Sequence, residues 1–283
     1  MSSARILALT SLTMIAFACN SLLCRLALLY TPVDPGSFAT IRLISGAATL
    51  WLIVRIRRGS GDVGGNWPSA VALFVYAAAF SFAYVSLSAA TGALLLFGAV
   101  QVTMICYGLW KGERLRGMQM LGFALAVGGL IGLLAPGLSA PPLIGSLLMF
   151  SAGVAWGVYS LRGKAAGDPL IANAGNFLRT VPIAVVLSLI ASEGVTLDSA
   201  GVSYAVLSGA VASGVGYAIW YAVLPFLRVT QAAGVQLSVP VIAALGGIAF
   251  LDESITLRFV LASLAVLGGI ALVVSERQRH QAA

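Results

Sequence analysis

The sequence predicts an all-α integral membrane protein of ten transmembrane helices, arranged as two inverted five-helix repeats. Three observations carry this: the composition, the lengths of the apolar stretches, and a self-similarity between the halves. Of 283 residues, 60 % are hydrophobic and 9 % charged, and the mean hydropathy is +1.01. A soluble domain carries about a quarter charged residues. This chain has too little polar surface to cover a globule in water, so its solvent is lipid.

About 20 apolar residues cross the hydrocarbon core. The stretches between charges and Pro/Gly breaks give spans at 6–29, 37–54, 69–89, 91–110, 118–135, 143–161, 170–191, 201–226, 230–251 and 257–275. The first is too long for a signal-peptide core and is interrupted by Asn20 and Arg25, so it reads as a retained helix. The second follows Asp34-Pro35 and leads into a Gly-rich loop from Arg55 to Pro68. Small residues at i, i+4 in Gly128/Gly132, Gly153/Gly157 and Gly209/Ser213 predict close packing by the fifth, sixth and eighth helices. Gly214, Gly216 and Pro225 make the eighth a candidate for bending. No stretch between spans is long enough for a soluble domain.

The net charge of +7 does not indicate a nucleic-acid partner, because of where it falls. With the N-terminus inside, twelve of the sixteen Lys and Arg lie in cytoplasmic segments, while Arg258 alone lies in an opposite loop. That asymmetry predicts cytoplasmic termini, cytoplasmic loops at 55–68, 111–117 and 162–168, and external loops at 31–36, 192–200 and 252–256. Cys19, Cys24 and Cys106 lie within spans without metal-ligand spacing and read as small apolar fillers. No cofactor or metal is expected.

The halves resemble each other. Arg25 and Arg42 lie 17 residues apart, as do Arg162 and Arg179, and each pair brackets an Asp-Pro. At the same shift, Phe80 and Tyr84 fall on Tyr217 and Tyr221. Further on, Glu113 matches Glu253, and Gly128-Gly129 matches Gly268-Gly269. The repeats are 1–137 and 138–283. Five helices is an odd number, so the second copy enters the membrane from the other side, as in many alternating-access transporters.

On these residues the chain resembles the drug/metabolite transporter superfamily, specifically its EamA-type ten-helix members. The resemblance spans the whole chain. It is carried by Arg42 and Arg179, Trp156-Gly157, Gly-Glu113-Arg and Leu-Asp-Glu253, the Gly-Gly pairs, and Pro240. Cys19-Asn20 and Val100 stand where the second half has Trp156-Gly157 and Pro240. The chain looks most like the bacterial aromatic amino-acid exporter branch, which implies efflux of amino acids across the inner membrane.

Arg42 and Arg179 are costly in lipid, at about 3 kcal/mol or more each near mid-bilayer. Asp34 and Asp168, snorkelling or open carbonyls are expected to compensate them, as loop pins or as sites for a substrate carboxylate. No Asp or Glu lies inside a span, which argues against a proton-coupled cation exporter. His280, in the tail, cannot serve as a buried relay. The expected substrate-binding wall is Trp156, Tyr84, Gln101, Tyr217, Trp220, Tyr221, Gln236, Tyr159 and Asn20, between helices three, four, six, eight and nine. Asn176 is a further buried amide, and Trp51, Trp67 and Trp110 read as interfacial belt.

A wall of this kind suits neutral or zwitterionic small molecules with apolar side chains. The expected function is secondary export of aromatic and other neutral amino acids, or similar amphipathic metabolites, by alternating access. Two alternatives stay open: a passive facilitator or channel, and an exchanger of sugar-phosphate-type anions. No hydrolytic constellation is present in the sequence, so an enzyme is not expected. The expected partners are the solute and the bilayer, and the chain is compatible with a monomer.

Overall fold

A computed structural model describes residues 1–58, 64–115, 117–137, 139–163, 167–190, 196–227 and 229–282. Arg116, Lys164, Glu193 and Arg228 lie outside the described residues, as do the side chains of Arg58, Arg277, Arg279 and His280 and all of 59–63 and 191–195.

Among the described residues every secondary-structure element is helical. Helix α1 (Ser3–Tyr30) opens on Ser2, whose hydroxyl accepts from Arg5 N–H. Helix α2 (Pro35–Arg58) is capped by Asp34, which accepts from Ser37 N–H at 2.8 Å. Asn66 caps α3 (Trp67–Ala83), with Pro68 in the first turn, where its missing N–H costs nothing. Ser88 caps α4 (Ala89–Trp110) through Thr91 N–H. Helices α5 (Gly117–Leu134), α6 (Leu143–Gly163) and α7 (Pro169–Ile190) follow, with Asp168 capping α7. Helix α8 (Ser199–Phe226) starts on Asp198. Helix α9 is two segments, Val229–Gln236 and Ser238–Leu251, and α10 is Leu257–Ala282.

Among the described residues, nine helices are long and apolar enough to cross a membrane, and α3, at 17 residues, is at the short end of spanning length. Exposed Ile131, Ile144, Leu245, Phe250 and Leu264 lie on the outside of the bundle, where lipid makes apolar exposure favourable. Trp51, Trp67 and Trp110 are exposed near helix ends. The chain is a multi-pass membrane protein.

Helix α2 packs on α7, α5 on α10, α3 and α4 on α6, and α1 on α8 and α9. Small residues set several of these contacts. On α6, Gly153 and Gly157 lie against α4, facing the Leu96 and Val100 carbonyls. On α5 the contact is made by Gly122 and Gly129, which meet Gly269 and Val266 of α10. Gly128 and Gly132 face open space, so the expected Gly128/Gly132 packing stripe is displaced by one residue.

Two other local features depart from the sequence reading. The third span ends at Ala83, not 89, because the chain turns through 84–88 and Ser88 restarts the helix as a cap. Helix α8 runs as a π-helix over Leu207–Val215, then as an α-helix over Gly216–Val223, and tightens to 3-10 geometry at Leu224–Phe226 around Pro225. Gly209 and Gly214, five residues apart, both face α2: Gly209 lies on the Arg42 carbonyl and Ser45, Gly214 on Thr49. Five residues is one hydrogen-bond step of a π-helix. The widened turn lets both glycines meet the same neighbour.

Candidate functional site

At the centre of the bundle lies a small chamber bounded by Phe17, Asn20 and Ser21 of α1, Tyr76 and Phe80 of α3, Leu96 and Phe97 of α4, Trp156 of α6 and Tyr217 of α8. It encloses about 20 Å³, the space of a single water. Pockets for drug-sized ligands run to about 300–1,000 Å³. The described conformation is therefore closed around its centre.

The wall is a continuous aromatic network. Trp156 stacks on Tyr217 with centroids 5.2 Å apart and on Tyr159 at 5.3 Å. It meets Tyr76 at 4.9 Å, and Tyr76 meets Phe80 at 5.5 Å. Phe17 touches Tyr217 and Trp220, and Phe177 closes the network behind Tyr217. Offset and tilted arrangements such as these are favoured between rings.

A polar chain runs beside the rings. Ser208, in the π segment, donates to Asn20 Oδ1, and Asn20 Nδ2 donates to the Tyr76 hydroxyl at 3.3 Å. Arg42, only 2 % exposed, donates from Nη2 to the same hydroxyl at 2.8 Å. Its guanidinium lies over the Phe80 and Tyr76 rings, 4.6 and 5.1 Å from their centroids, an arrangement that offsets part of the cost of burying the charge. A second chain lies toward the other end: Tyr159 donates to Asn173, and Asn176 Nδ2 donates to Tyr159.

The structure separates the two membrane arginines. Arg179 donates from Nη1 to the carbonyls of Gly64, at 2.6 Å, and Gly175, at 2.9 Å, and so holds the α2–α3 loop. Arg42 is buried beside the chamber. Asp34 and Asp168 cap α2 and α7. Of the expected compensations, open carbonyls serve Arg179, whereas Arg42 is met by aromatic rings and a hydroxyl, which were not among them.

Of the expected wall residues, Trp156, Tyr217 and Asn20 are brought together at the chamber. Tyr159 and Trp220 stand directly behind them, against Trp156 and Phe17. Tyr84 is fully buried behind Phe80 at the α3–α4 turn and is not among the lining residues. Tyr221 lines a separate groove with Val54, Arg57 and Asp168. Gln101 is buried on α4 but absent from the wall, and half-buried Gln236 closes the first segment of α9. The sequence reading missed Tyr76 and Phe17, and had Phe80 only as a repeat marker. A signal was present: Tyr76, Phe80 and Tyr84 recur every four residues on one face of α3.

Both ends of the chamber are tied shut between the halves. At one end Arg25 Nη1 donates to the Tyr84 and Val85 carbonyls and Arg25 pairs with Glu253 at 3.5 Å. Glu253 in turn accepts from Ala89 N–H at 2.9 Å and caps α4. At the other end, beside the Arg179–Gly64 bond, Asn66 N–H donates to Asn176 at 2.9 Å, and Arg162 donates to Ser69 and Asn66.

Ten packed apolar helices around an uncharged aromatic chamber make an integral membrane protein of the solute-transporter class. Residues 143–275, from α6 into α10, match the EamA-like transporter family. The chain is 56 % identical over 278 residues to an uncharacterised protein of Pseudomonas aeruginosa, covering 98 % of this chain and 97 % of that one. It is 27 % identical over 211 residues to a protein of Escherichia coli K12 named "Probable amino-acid metabolite efflux pump", covering 68 % of this chain and 71 % of that one. An uncharacterised transporter of Archaeoglobus fulgidus is 24 % identical over 289 residues, 96 % of this chain and 98 % of its own. A crystal structure at 18 % identity shares the fold, with a TM-score of 0.68 over 98 % of this chain and all of the other. The chain belongs to the EamA-like transporter family and is a membrane transporter.

Proposed function

We propose that this transporter exports neutral amino acids with large apolar side chains, aromatic ones among them, or similar amphipathic metabolites, across the bacterial inner membrane. The observation that carries this reading is the chamber wall: six aromatic rings, Asn20 and Ser21, and no ionised side chain. Such a wall buries apolar area at about 25 cal/mol per Å² while the amide and hydroxyls hold a polar head. The gain for one side chain is modest, which suits a carrier that must release its cargo. The name of the Escherichia coli relative supports the same substrate class.

Transport proceeds by alternating access between two inverted repeats, 1–137 and 138–283. The packing pattern supports this. A half-turn that exchanges helix n with helix n+5 maps the α2–α7 and α5–α10 contacts onto themselves and exchanges α1–α8 with α3–α6. It also exchanges α1–α9 with α4–α6. The two clasps give each end a lock that can open while the other stays shut, and a chamber of 20 Å³ does not serve as an open pore. The basic excess of loops 55–68, 111–117 and 162–168 supports an orientation with both termini in the cytoplasm.

The test is transport in proteoliposomes of labelled phenylalanine, leucine, alanine, a sugar phosphate and an aromatic amine. Saturable movement of phenylalanine and leucine above the rest is expected. Preference for the sugar phosphate would assign the anion-exchanger function instead.

A further inference from the structure

The chamber carries polar atoms in a one-sided arrangement. The Tyr76 hydroxyl accepts from both Arg42 Nη2 and Asn20 Nδ2, so both its lone pairs are engaged and its hydrogen is left to donate. Arg42 Nη1 is buried and has no hydrogen-bond partner among the described residues, and no ion pair is formed by Arg42 there. The cluster behind Tyr76 and Phe80 therefore offers two donors and a full positive charge, and asks for an acceptor. The half-buried arginines of the bundle differ: Arg179 donates to two carbonyls, and Arg25 donates to two carbonyls and has Glu253 as counter-ion, although its Nε makes no hydrogen bond.

We infer that Arg42 is the substrate-carboxylate anchor: when the chamber opens, Nη1 and the Tyr76 hydroxyl together bind the carboxylate of the transported solute, and Arg179 has no such role. This deepens, and rests on, the reading of the chamber as a site for amino-acid-like amphipaths. Three features support it. A planar guanidinium matches a carboxylate in geometry and charge. The rings on which Arg42 lies, Tyr76 and Phe80, are themselves wall residues, so one side-chain shift of that wall brings the guanidinium to the chamber. And Arg42 forms no ion pair among the described residues, so a cargo carboxylate would supply the counter-charge it lacks.

Arg42 also ties cargo to conformation. Its carbonyl, with Ser45 Oγ, is what Gly209 of the π segment packs against, and Ser208 of that segment holds Asn20, which holds Tyr76. A carboxylate drawing Arg42 and Tyr76 toward the chamber pulls on α8 through both contacts.

The experiment compares labelled phenylalanine with phenethylamine, which lacks the carboxylate, and phenylalaninamide, which lacks its charge, in proteoliposomes of wild type, Arg42→Lys and Arg42→Gln. Wild type should move phenylalanine about tenfold or more faster than either analogue. Arg42→Gln should lower phenylalanine transport by about tenfold or more and level the three solutes, with Arg42→Lys between. Equal transport of the three by wild type would overturn the inference and leave the chamber reading standing; this comparison needs no variant to fold. Retained carboxylate preference in a folded Arg42→Gln would overturn it equally. If wild type moves none of the aromatic solutes, the chamber reading fails and takes the anchor with it.

Discussion

Trp156 stacks on Tyr159 and Tyr217 at interplanar angles of 29° and 20° and meets Tyr76 tilted at 46°. It is the residue through which the aromatic wall is joined. Trp156→Ala should reduce transport of phenylalanine and leucine by about tenfold while alanine transport changes little, because only large side chains lose buried contact area. Trp156→Phe keeps a ring in place and should retain most activity. Uniform transport by a folded Trp156→Ala protein would make Trp156 ordinary packing. Trp156 and Tyr217 were legible in the sequence because a buried Trp or Tyr needs a partner for its polar atom, and helix interiors supply few. Tyr76 was hidden in an Ala-rich helix that looked like filler. Arg42 and Arg179 sit in matching sequence contexts, and sequence could not separate them: whether a guanidinium meets a carbonyl or a ring depends on where distant segments come to lie, here Gly64 for one and Phe80 for the other.

Among the helices, α8 carries the feature with the most mechanical consequence. A π segment of nine residues is less tightly wound than α-helix and frequently marks a functional site. It seats Gly209 directly on the α2 backbone, closer than any side chain allows. A methyl group added there collides with the Arg42 carbonyl, which cannot rotate away as a side chain could. Gly209→Ala should cost about 1–3 kcal/mol, read as a lower thermal unfolding midpoint in detergent. Gly128→Ala is the control: its Cβ meets open space, and the gain in helix propensity is up to about 1 kcal/mol. Equal midpoints for the two variants would contradict the packing described. Helix number, order and approximate length were legible from apolar runs. The turn at 84–88 was not, because Tyr84, Val85 and Leu87 are apolar and continue the run. The π segment was also invisible, since Gly and Ser suit bends, dimer stripes and close packing alike; the sequence pointed to bending in α8 without saying how.

The whole molecule is closed at both ends, with clasps that join opposite halves of the chain around one aromatic chamber. One clasp joins the halves through Glu253, which pairs with Arg25 and caps α4, and the other through Arg179 on the Gly64 carbonyl and Arg162 on Ser69 and Asn66, so either can be released without unwinding a helix. A chamber too small for cargo and two locks are what the proposed alternating-access cycle expects of a carrier between its open states. The central claim, that cargo moves by alternating exposure of this chamber, is tested most directly by counterflow. Proteoliposomes are loaded with unlabelled phenylalanine, and entry of labelled phenylalanine from outside is timed against vesicles loaded with buffer. A carrier of this kind returns faster when loaded, so labelled uptake should be saturable, transiently accumulate above equilibrium in loaded vesicles, and slow in empty ones. Uptake that rises linearly with concentration and is indifferent to internal phenylalanine would contradict the account and make the protein a passive pore.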